Sequence, residues 1–473
     1  MQLEKMDAFF EARLDGYEEH MLTNIDGAEA FYPFTAQLLP DAPGAKVLDL
    51  GCGTGLELRW YYEKNPTARI AGIDLSAGML EVLWEKYRDK KPELVCGSYF
   101  DIPLGELVFD AAVSVESLHH FTPEEKLPLY EKLHQSLKPG GWFVLTDYFA
   151  LSDAEELQHR QALLALRQAQ DLDAEAFYHY DTPLTVAHER QILLQAGFAR
   201  VEILKSWGAT YTLKAVKMEE TELRRFWKEE EELAHIHGWD FSYIEGRFWE
   251  DTDFPWDYRQ VIGQYLTPDQ KLLDIDTGGG EFLLSLGHPY GNTAATENYP
   301  PNVQLCKEKL LPLGIDFRQA DGNGAFPYPN DSFDVVIDRH GDLNPPEIYR
   351  VLKPGGIFIS QQVGAENDRE LVQLLCGAVP MPFPEQYADK AEEKFLQAGF
   401  QILQKEECYR PMLFYDVGAL VWFARVIPWE FPGFSVDTHL EKLQNAQCVL
   451  KEKGCLEGMT HRFLLVAKKE VAE

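Results

Sequence analysis

Four phrases recur in the same order in the two halves of this 473-residue chain. Val47-Leu-Asp-Leu-Gly-Cys-Gly-Thr-Gly55 returns as Leu272-Leu-Asp-Ile-Asp-Thr-Gly-Gly-Gly280, and Phe109-Asp-Ala-Ala-Val113 as Phe333-Asp-Val-Val-Ile337. Leu137-Lys-Pro-Gly-Gly-Trp-Phe-Val144 returns as Leu352-Lys-Pro-Gly-Gly-Ile-Phe-Ile359, and Gln195-Ala-Gly-Phe198 as Gln397-Ala-Gly-Phe400. A period of about 200 residues is far longer than a solenoid unit and fits a duplicated domain. The chain is therefore expected to build one fold twice, and its 45% apolar content supplies two buried cores.

Within each copy, short β-branched apolar runs alternate with amphipathic stretches. In the first copy the pattern predicts strands at 46–50, 69–73, 93–96, 109–114, 142–147, 199–204 and 209–216, with helices over 77–89 and 123–137. Such alternation builds βαβ units and a mostly parallel sheet, α/β in class, with helices on both faces. The repeated Lys-Pro-Gly-Gly reads as a helix stop and turn ahead of a buried strand. The first domain is expected to span 1–217. A charged stretch without Gly or Pro, 218–232, predicts a connecting helix, and 233–473 forms the second domain. That domain opens with an aromatic lid, His235-Ile-His-Gly-Trp-Asp-Phe241 and Phe254-Pro-Trp-Asp-Tyr258. An insertion near 411–436 precedes its last strand.

A glycine-rich turn between a first strand and a helix lets backbone N–H groups approach a ligand. Gly51, Gly53 and Gly55 follow G-x-G-x-G; a dinucleotide fingerprint would place its third glycine at Leu56, and a Walker lysine is missing. An acid at the end of the next strand, able to accept two hydrogen bonds from a ribose diol, is supplied by Asp74 in one copy and Glu297 in the other. Each follows its motif's leading Asp by about 25 residues.

Taken together, glycine turn, spaced acid, Phe-Asp strand and Lys-Pro-Gly-Gly resemble the class I S-adenosylmethionine-dependent methyltransferases, in two tandem copies. The resemblance implies two Rossmann-like domains, each with a seven-stranded sheet containing one antiparallel strand, and S-adenosylmethionine as cofactor. Carried over, Asp49 with Gly51, Gly53 and Gly55 would hold its amino-acid end and Asp74 its ribose. Leu75 and Met79 would flank the adenine, with Ser98, Tyr99 and Phe100 at its edge; Ser98 stands where the family usually has Asp. In the second copy Asp274, Gly278, Gly280, Glu297 and Asp321 take these roles, but Asp276 replaces the first glycine. The first copy is accordingly expected to be the catalytic one, the second active or auxiliary.

Methyl transfer is an in-line displacement that depends chiefly on alignment and desolvation, with a base only where the acceptor must lose a proton. The stretch after the fourth strand, Ser114-Val-Glu-Ser-Leu-His-His-Phe121, offers Glu116 and His119 as base or acceptor-orienting groups, with His120 read as a packed residue. Tyr17 on a cap helix is placed to cover the cofactor, offering a cation–π contact to the sulfonium. Tyr178, His179 and Tyr180, and in the second copy Arg339 and His340, are candidate substrate residues. Asn344-Pro-Pro-Glu347 reads as a helix entry.

The formal charge of −33 disfavours nucleic acid and anionic membranes, whose binding depends on neutralising phosphate, and favours a small-molecule substrate. No stretch approaches the roughly 18 apolar residues of a membrane span. Seven scattered cysteines without a Cys-x-x-Cys pair point to reduced thiols and a cytoplasmic setting, and no metal ligand is assigned, the pair His235 and His237 included. A macromolecular methyltransferase acting on protein or RNA and a non-catalytic cofactor-binding scaffold are the competing classes; oligomeric state is open.

Overall fold

The computed structural model describes residues 2–170, 172–173, 176–235 and 241–471. The chain divides into two compact units. One comprises Met1–Glu229, Tyr415–Gly418 and Leu443–Leu456; the other comprises Glu230–Phe414, Ala419–Lys442 and Glu457–Glu473.

The first unit is built on β1 (Lys46–Leu50), β2 (Arg69–Asp74), β3 (Glu93–Cys96), β4 (Phe109–Val115), β5 (Leu137–Tyr148), β6 (Arg200–Trp207) and β7 (Thr210–Val216). They run in the order β3-β2-β1-β4-β5-β7-β6, with β7 antiparallel to both neighbours. β1 and β4 are buried almost throughout, so they read as continuous apolar runs rather than as alternating ones. A cap of α1 (Met6–Glu11), α2 (Tyr17–Asn24) and α3 (Ala28–Gln37) precedes the sheet. α4 (Leu58–Lys64) follows β1, α5 (Ala77–Tyr87) follows β2, and α6 (Pro123–Ser136) links β4 to β5. α7 (Asp153–Gln170) and α8 (Val186–Gln195) lie between β5 and β6, and α9 (Glu220–Leu233) follows β7. Of the two late segments that return to this unit, one is held by Gln447, which donates to the Ala199 carbonyl at 2.9 Å, and the other by the Arg190 guanidinium, 3.9 Å from the Tyr415 ring centroid.

The repeated phrases have a structural cause. Asp110 Oδ2 accepts from the Lys46 N–H at 2.8 Å, and its Oδ1 pairs with Lys138 Nζ at 2.6 Å, tying the start of β1 to the Lys-Pro-Gly-Gly phrase. Asp334 repeats this with the Lys271 N–H at 2.8 Å and Lys353 Nζ at 2.7 Å. The phrase itself is not a turn ahead of the strand. Phe109 pairs with Leu137 and Ala111 with Trp142, so Lys138 to Gly141 bulge out within one continuous β5. Gly141 is required there: a Cβ would come 2.9 Å from the Lys138 carbonyl and 3.0 Å from that of Asp110.

The second unit repeats the seven-stranded order and adds an eighth strand. Its strands are β8 (Phe248–Glu250), β9 (Leu272–Ile275), β10 (Thr293–Glu297), β11 (Asp316–Gln319), β12 (Phe333–Arg339), β13 (Leu352–Val363), β14 (Phe400–Phe414) and β15 (Leu456–Lys469). The order is β11-β10-β9-β12-β13-β15-β14-β8, with β15 antiparallel to β13. The edge strand β8 lies between the two phrases expected as an aromatic lid, Trp249 pairing with Leu413. His237 lies outside the described residues. Among the described residues no helix is long and apolar enough to cross a membrane.

Candidate active site

Parallel sheets bind ligands at the carboxyl ends of their strands where the order reverses, here between β1 and β4. Gly51, Gly53 and Gly55 carry the chain from β1 toward α4 at φ of 70°, 47° and 70°. A Cβ on Gly51 would lie 2.0 Å from Ser117 Oγ, so a side chain is excluded there by space as well as by conformation. The Gly53 N–H donates to Asp74 Oδ2 at 2.8 Å, and Asp74 Oδ1 accepts from the Ser76 N–H at 2.9 Å, which fixes the carboxylate beside the turn.

Asp49, at 1% exposure, and Glu57 face each other beneath this turn. Burial first, and the neighbouring Glu57 carboxylate second, push the Asp49 carboxyl well above its ordinary range; burial raises Glu57 as well. Apart from each other, Asp49 Oδ2, Glu57 Oε1 and the nearby Thr54 Oγ1 are buried without a hydrogen-bond partner among the described residues. Buried polar atoms of this kind are costly unless a ligand meets them, and acceptors under a glycine turn suit the ammonium end of an amino acid.

Other expected cofactor residues gather around the turn. The Tyr17 hydroxyl from α2 is 3.7 Å from where a Gly53 Cβ would stand. Leu75 is half-buried, and Met79 is buried at the start of α5, where Ser76 caps the helix. Ser98 accepts from the Phe100 N–H at 3.2 Å, closing its own turn. Tyr99 Oη is 3.2 Å from Ser117 Oγ, and the Phe100 ring packs on Phe121 at 4.7 Å and Phe177 at 5.2 Å. Glu11, which no sequence pattern singles out, accepts from Ser76 Oγ at 2.7 Å and the Gly78 N–H at 3.2 Å, fastening the cap to α5.

Glu116 and His119 meet in one polar cluster beyond β4. Glu116 Oε1 accepts from Thr210 Oγ1 at 3.2 Å; burial, and after it the Asp147 charge, lift the Glu116 carboxyl to about 7. His119 Nδ1 lies 2.5 Å from Asp147 Oδ1. Burial works against a proton on His119, but Asp147, with Glu116 and Asp181, outweighs it and holds the imidazole at about 9. Asp147 is itself anchored by the Leu118 N–H at 2.7 Å and the Tyr148 N–H at 2.9 Å. His119 Nε2 and His120 Nδ1 stand 3.6 Å and 3.1 Å from Asp181 Oδ1. Sequence spacing assigns no metal ligand here, and neither Asp147 nor Asp181 is adjacent in the chain to the residues it joins.

The cap roofs this cluster. His179 stacks on Phe9 at 3.5 Å, and Phe10 is 6.3 Å from the His120 ring. Tyr178 and Tyr180 turn instead toward a small apolar group with Leu3 and Leu163. A cavity of 250 Å³ opens beside them, lined by His120, Phe121, Arg160, Arg167, Phe177 and Tyr178.

The second copy keeps the ribose-side knot. The Gly278 N–H donates to Glu297 Oε2 at 2.8 Å, while Glu297 Oε1 accepts from the Asn298 and Tyr299 N–H groups. Gly280 has φ of 80° with Leu310 where a Cβ would go. Asp274 accepts from Thr277 Oγ1, and exposed Asp321 accepts from the Asn323 N–H at 2.9 Å. Asp276, at φ of 49°, turns its carboxylate toward the loops after β11 and β12 and accepts from the Asp342 N–H at 3.1 Å. Room for it comes from Gly322 and Gly341, where a Cβ would fall 2.2 Å and 2.7 Å from Asp276. Their counterparts in the first copy are Tyr99 and Ser117, so the two copies exchange which loop carries the bulk. The Arg339 guanidinium lies 4.9 Å from the Phe282 ring centroid, the His340 N–H donates to the Gln361 carbonyl, and Asn344 caps the helix Pro345–Val351.

Comparison with known proteins agrees with this geometry. A methyltransferase-domain family model matches residues 48–145 and again 273–360. The chain is 34% identical over 124 residues to an uncharacterized methyltransferase of Synechocystis, an alignment covering 26% of this chain and 57% of that protein. It is 30% identical over 236 residues to a carboxy-S-adenosyl-L-methionine synthase of Wolinella succinogenes, covering 44% of this chain and 93% of that protein. A tRNA (carboxymethyluridine(34)-5-O)-methyltransferase of Arabidopsis thaliana is 28% identical over 144 residues, 30% of this chain and 34% of the relative. The chain thus spans just over half of the first relative, nearly all of the second and a third of the last. It belongs to the S-adenosylmethionine-dependent methyltransferases, holds two such domains in tandem, and takes S-adenosylmethionine as its cofactor.

Proposed function

We propose that the first unit transfers a methyl group from S-adenosylmethionine to a small-molecule acceptor, and that the second unit is auxiliary. The observation that carries this reading is the pairing of a complete glycine cradle with a polar cluster under one aromatic cap. S-adenosylmethionine supplies an electrophilic methyl group on a sulfonium. In this reading Asp74 accepts from the ribose hydroxyls, the Asp49 and Glu57 pair receives the ammonium end, and Tyr17 closes over the turn. Glu116 takes the proton released by the acceptor, and His119, oriented by Asp147, holds the acceptor in line. Phe9, Phe10 and Phe100 exclude water, which strengthens every charge interaction inside. The domain boundaries we adopt are those of the repeat, 1–217 and 233–473.

A small acceptor is supported by the charge of −33, which repels a polyanion at long range. The test measures S-adenosylhomocysteine release from purified chain supplied with metabolite fractions or with RNA and protein. Release with metabolites alone, falling about 100-fold in Glu116→Gln while cofactor affinity holds, is the expected result. Release only with a macromolecule would overturn the reading. Formation of carboxy-S-adenosylmethionine would favour the activity named for the Wolinella relative.

A further inference from the structure

We infer that His119 Nε2, His120 Nδ1 and an Asp181 carboxylate oxygen form a site for one divalent transition-metal ion in the first unit. Ligand atoms of these three residues lie within 4.8 Å of one another. His120 Nδ1 is 3.1 Å and His119 Nε2 is 3.6 Å from Asp181 Oδ1. Bonds of about 2.0–2.1 Å in tetrahedral array need donor atoms about 3.4 Å apart, so the side chains already stand near coordinating separation. Two imidazoles and one carboxylate suit Zn2+, Co2+ or Fe2+ rather than Mg2+, which prefers oxygen donors.

A second observation singles out His119. Its Nδ1 is bonded to Asp147, a carboxylate at 1% exposure held by two backbone N–H groups. A buried carboxylate on the far nitrogen is how metal-binding histidines are oriented: it fixes the tautomer and leaves the Nε2 lone pair facing the ion. The other close grouping, Glu116, His119 and Asp147, is a poorer site. There the Asp147 oxygens are spent on Leu118, Tyr148 and His119, and Glu116 accepts from Thr210. Asp181 has a side chain 46% exposed, so an ion on it keeps positions open to a further ligand.

That further ligand is an oxygen of the acceptor. The substrate class is a small molecule with a metal-binding hydroxyl or carboxylate, its apolar body in the cavity beside His120. This assignment of the substrate rests on the methyl-transfer reading; the ion site does not. Binding displaces a proton from the imidazoles to solvent, and Glu116 remains the proton acceptor.

The test titrates the full chain, freed of metal by chelator, with Co2+ and follows visible d–d absorption and heat. One equivalent is expected to bind. Asp181→Asn and His120→Gln lose the absorption, and Asp147→Asn, which touches no ion, weakens binding by about 10- to 100-fold. Thermal melts check that each variant is folded. No cobalt absorption in wild-type protein, or absorption unchanged in folded Asp181→Asn and His120→Gln, overturns the site. Co2+ binding without any S-adenosylhomocysteine release would leave the site standing and remove the methyl-transfer reading; release from metal-free protein that binds no Co2+ would do the reverse.

Discussion

Asp276→Asn isolates one charge in the second unit while leaving its surroundings in place. At φ of 49° the backbone is in a region that Asn, unlike most residues, adopts readily, so the turn is kept. Asn also keeps an oxygen for the Asp342 N–H, now 3.1 Å from Asp276 Oδ2. Only the charge changes. Burial first, then Glu297 and Asp342, hold the Asp276 carboxyl at about 7. Asp274, at 4% exposure, is also held at about 7, by burial with Asp276 adding to it. A carboxyl raised from 3.8 to about 7 gives its full stability below about pH 4 and loses it as the pH rises through 7. For a buried group the loss is on the order of 4 kcal/mol at pH 8; half-buried Asp276 is discounted to about half of that. Removing its charge, and the repulsion it adds to Asp274, therefore stabilises the unit by on the order of 2–4 kcal/mol at pH 8. In a unit of this size that is roughly 4–16 °C in Tm. Calorimetric scans of the full chain between pH 5 and 8 at fixed ionic strength read it directly. The gap between variant and wild type widens with pH; a gap that stays constant, or a variant that melts lower at pH 8, refutes the reasoning.

Two further pairs of substitutions probe the first unit. Lys126→Met removes one partner of a buried ion pair, Lys126 Nζ to Glu189 Oε2 at 2.6 Å, and leaves a carboxylate that, among the described residues, only Tyr130 still meets. Urea unfolding should show a loss of about 3–5 kcal/mol, and Lys126→Met with Glu189→Leu should recover most of it. Gly51→Ala, whose Cβ would strike Ser117 Oγ, should weaken S-adenosylmethionine binding at least about tenfold in a calorimeter. Adding Ser117→Gly, the pairing that Asp276 and Gly341 use, should restore part of that affinity; no recovery would mean that conformation rather than space is limiting.

What the sequence made legible was the sheet. The short β-branched apolar runs placed six strands of the first copy to within three residues and began β5 five residues late, because parallel strands covered on both faces have little choice of composition. The three-residue edge strand Phe248–Glu250 gave no such signal, being too short for a period. Lys-Pro-Gly-Gly misled for a related reason: proline and glycine mark turns, but here Gly140 and Gly141 form a bulge that Asp110 stitches into β5. Asp74 and Glu297 were readable from their spacing to the glycine turns. Glu11, Asp147 and Asp181 were not, since each reaches its partners only through the fold. At Asp276 the sequence shows the added side chain but not Gly322 and Gly341, the two glycines that make room for it.

Calorimetric titration of S-adenosylmethionine into wild type, Asp74→Ala and Glu297→Ala tests most directly whether the first unit's turn and Asp74 hold the cofactor. The account predicts that Asp74→Ala loses the tight site, with affinity about 10- to 100-fold lower, while Glu297→Ala retains it. Retention in Asp74→Ala with loss only in Glu297→Ala would contradict it.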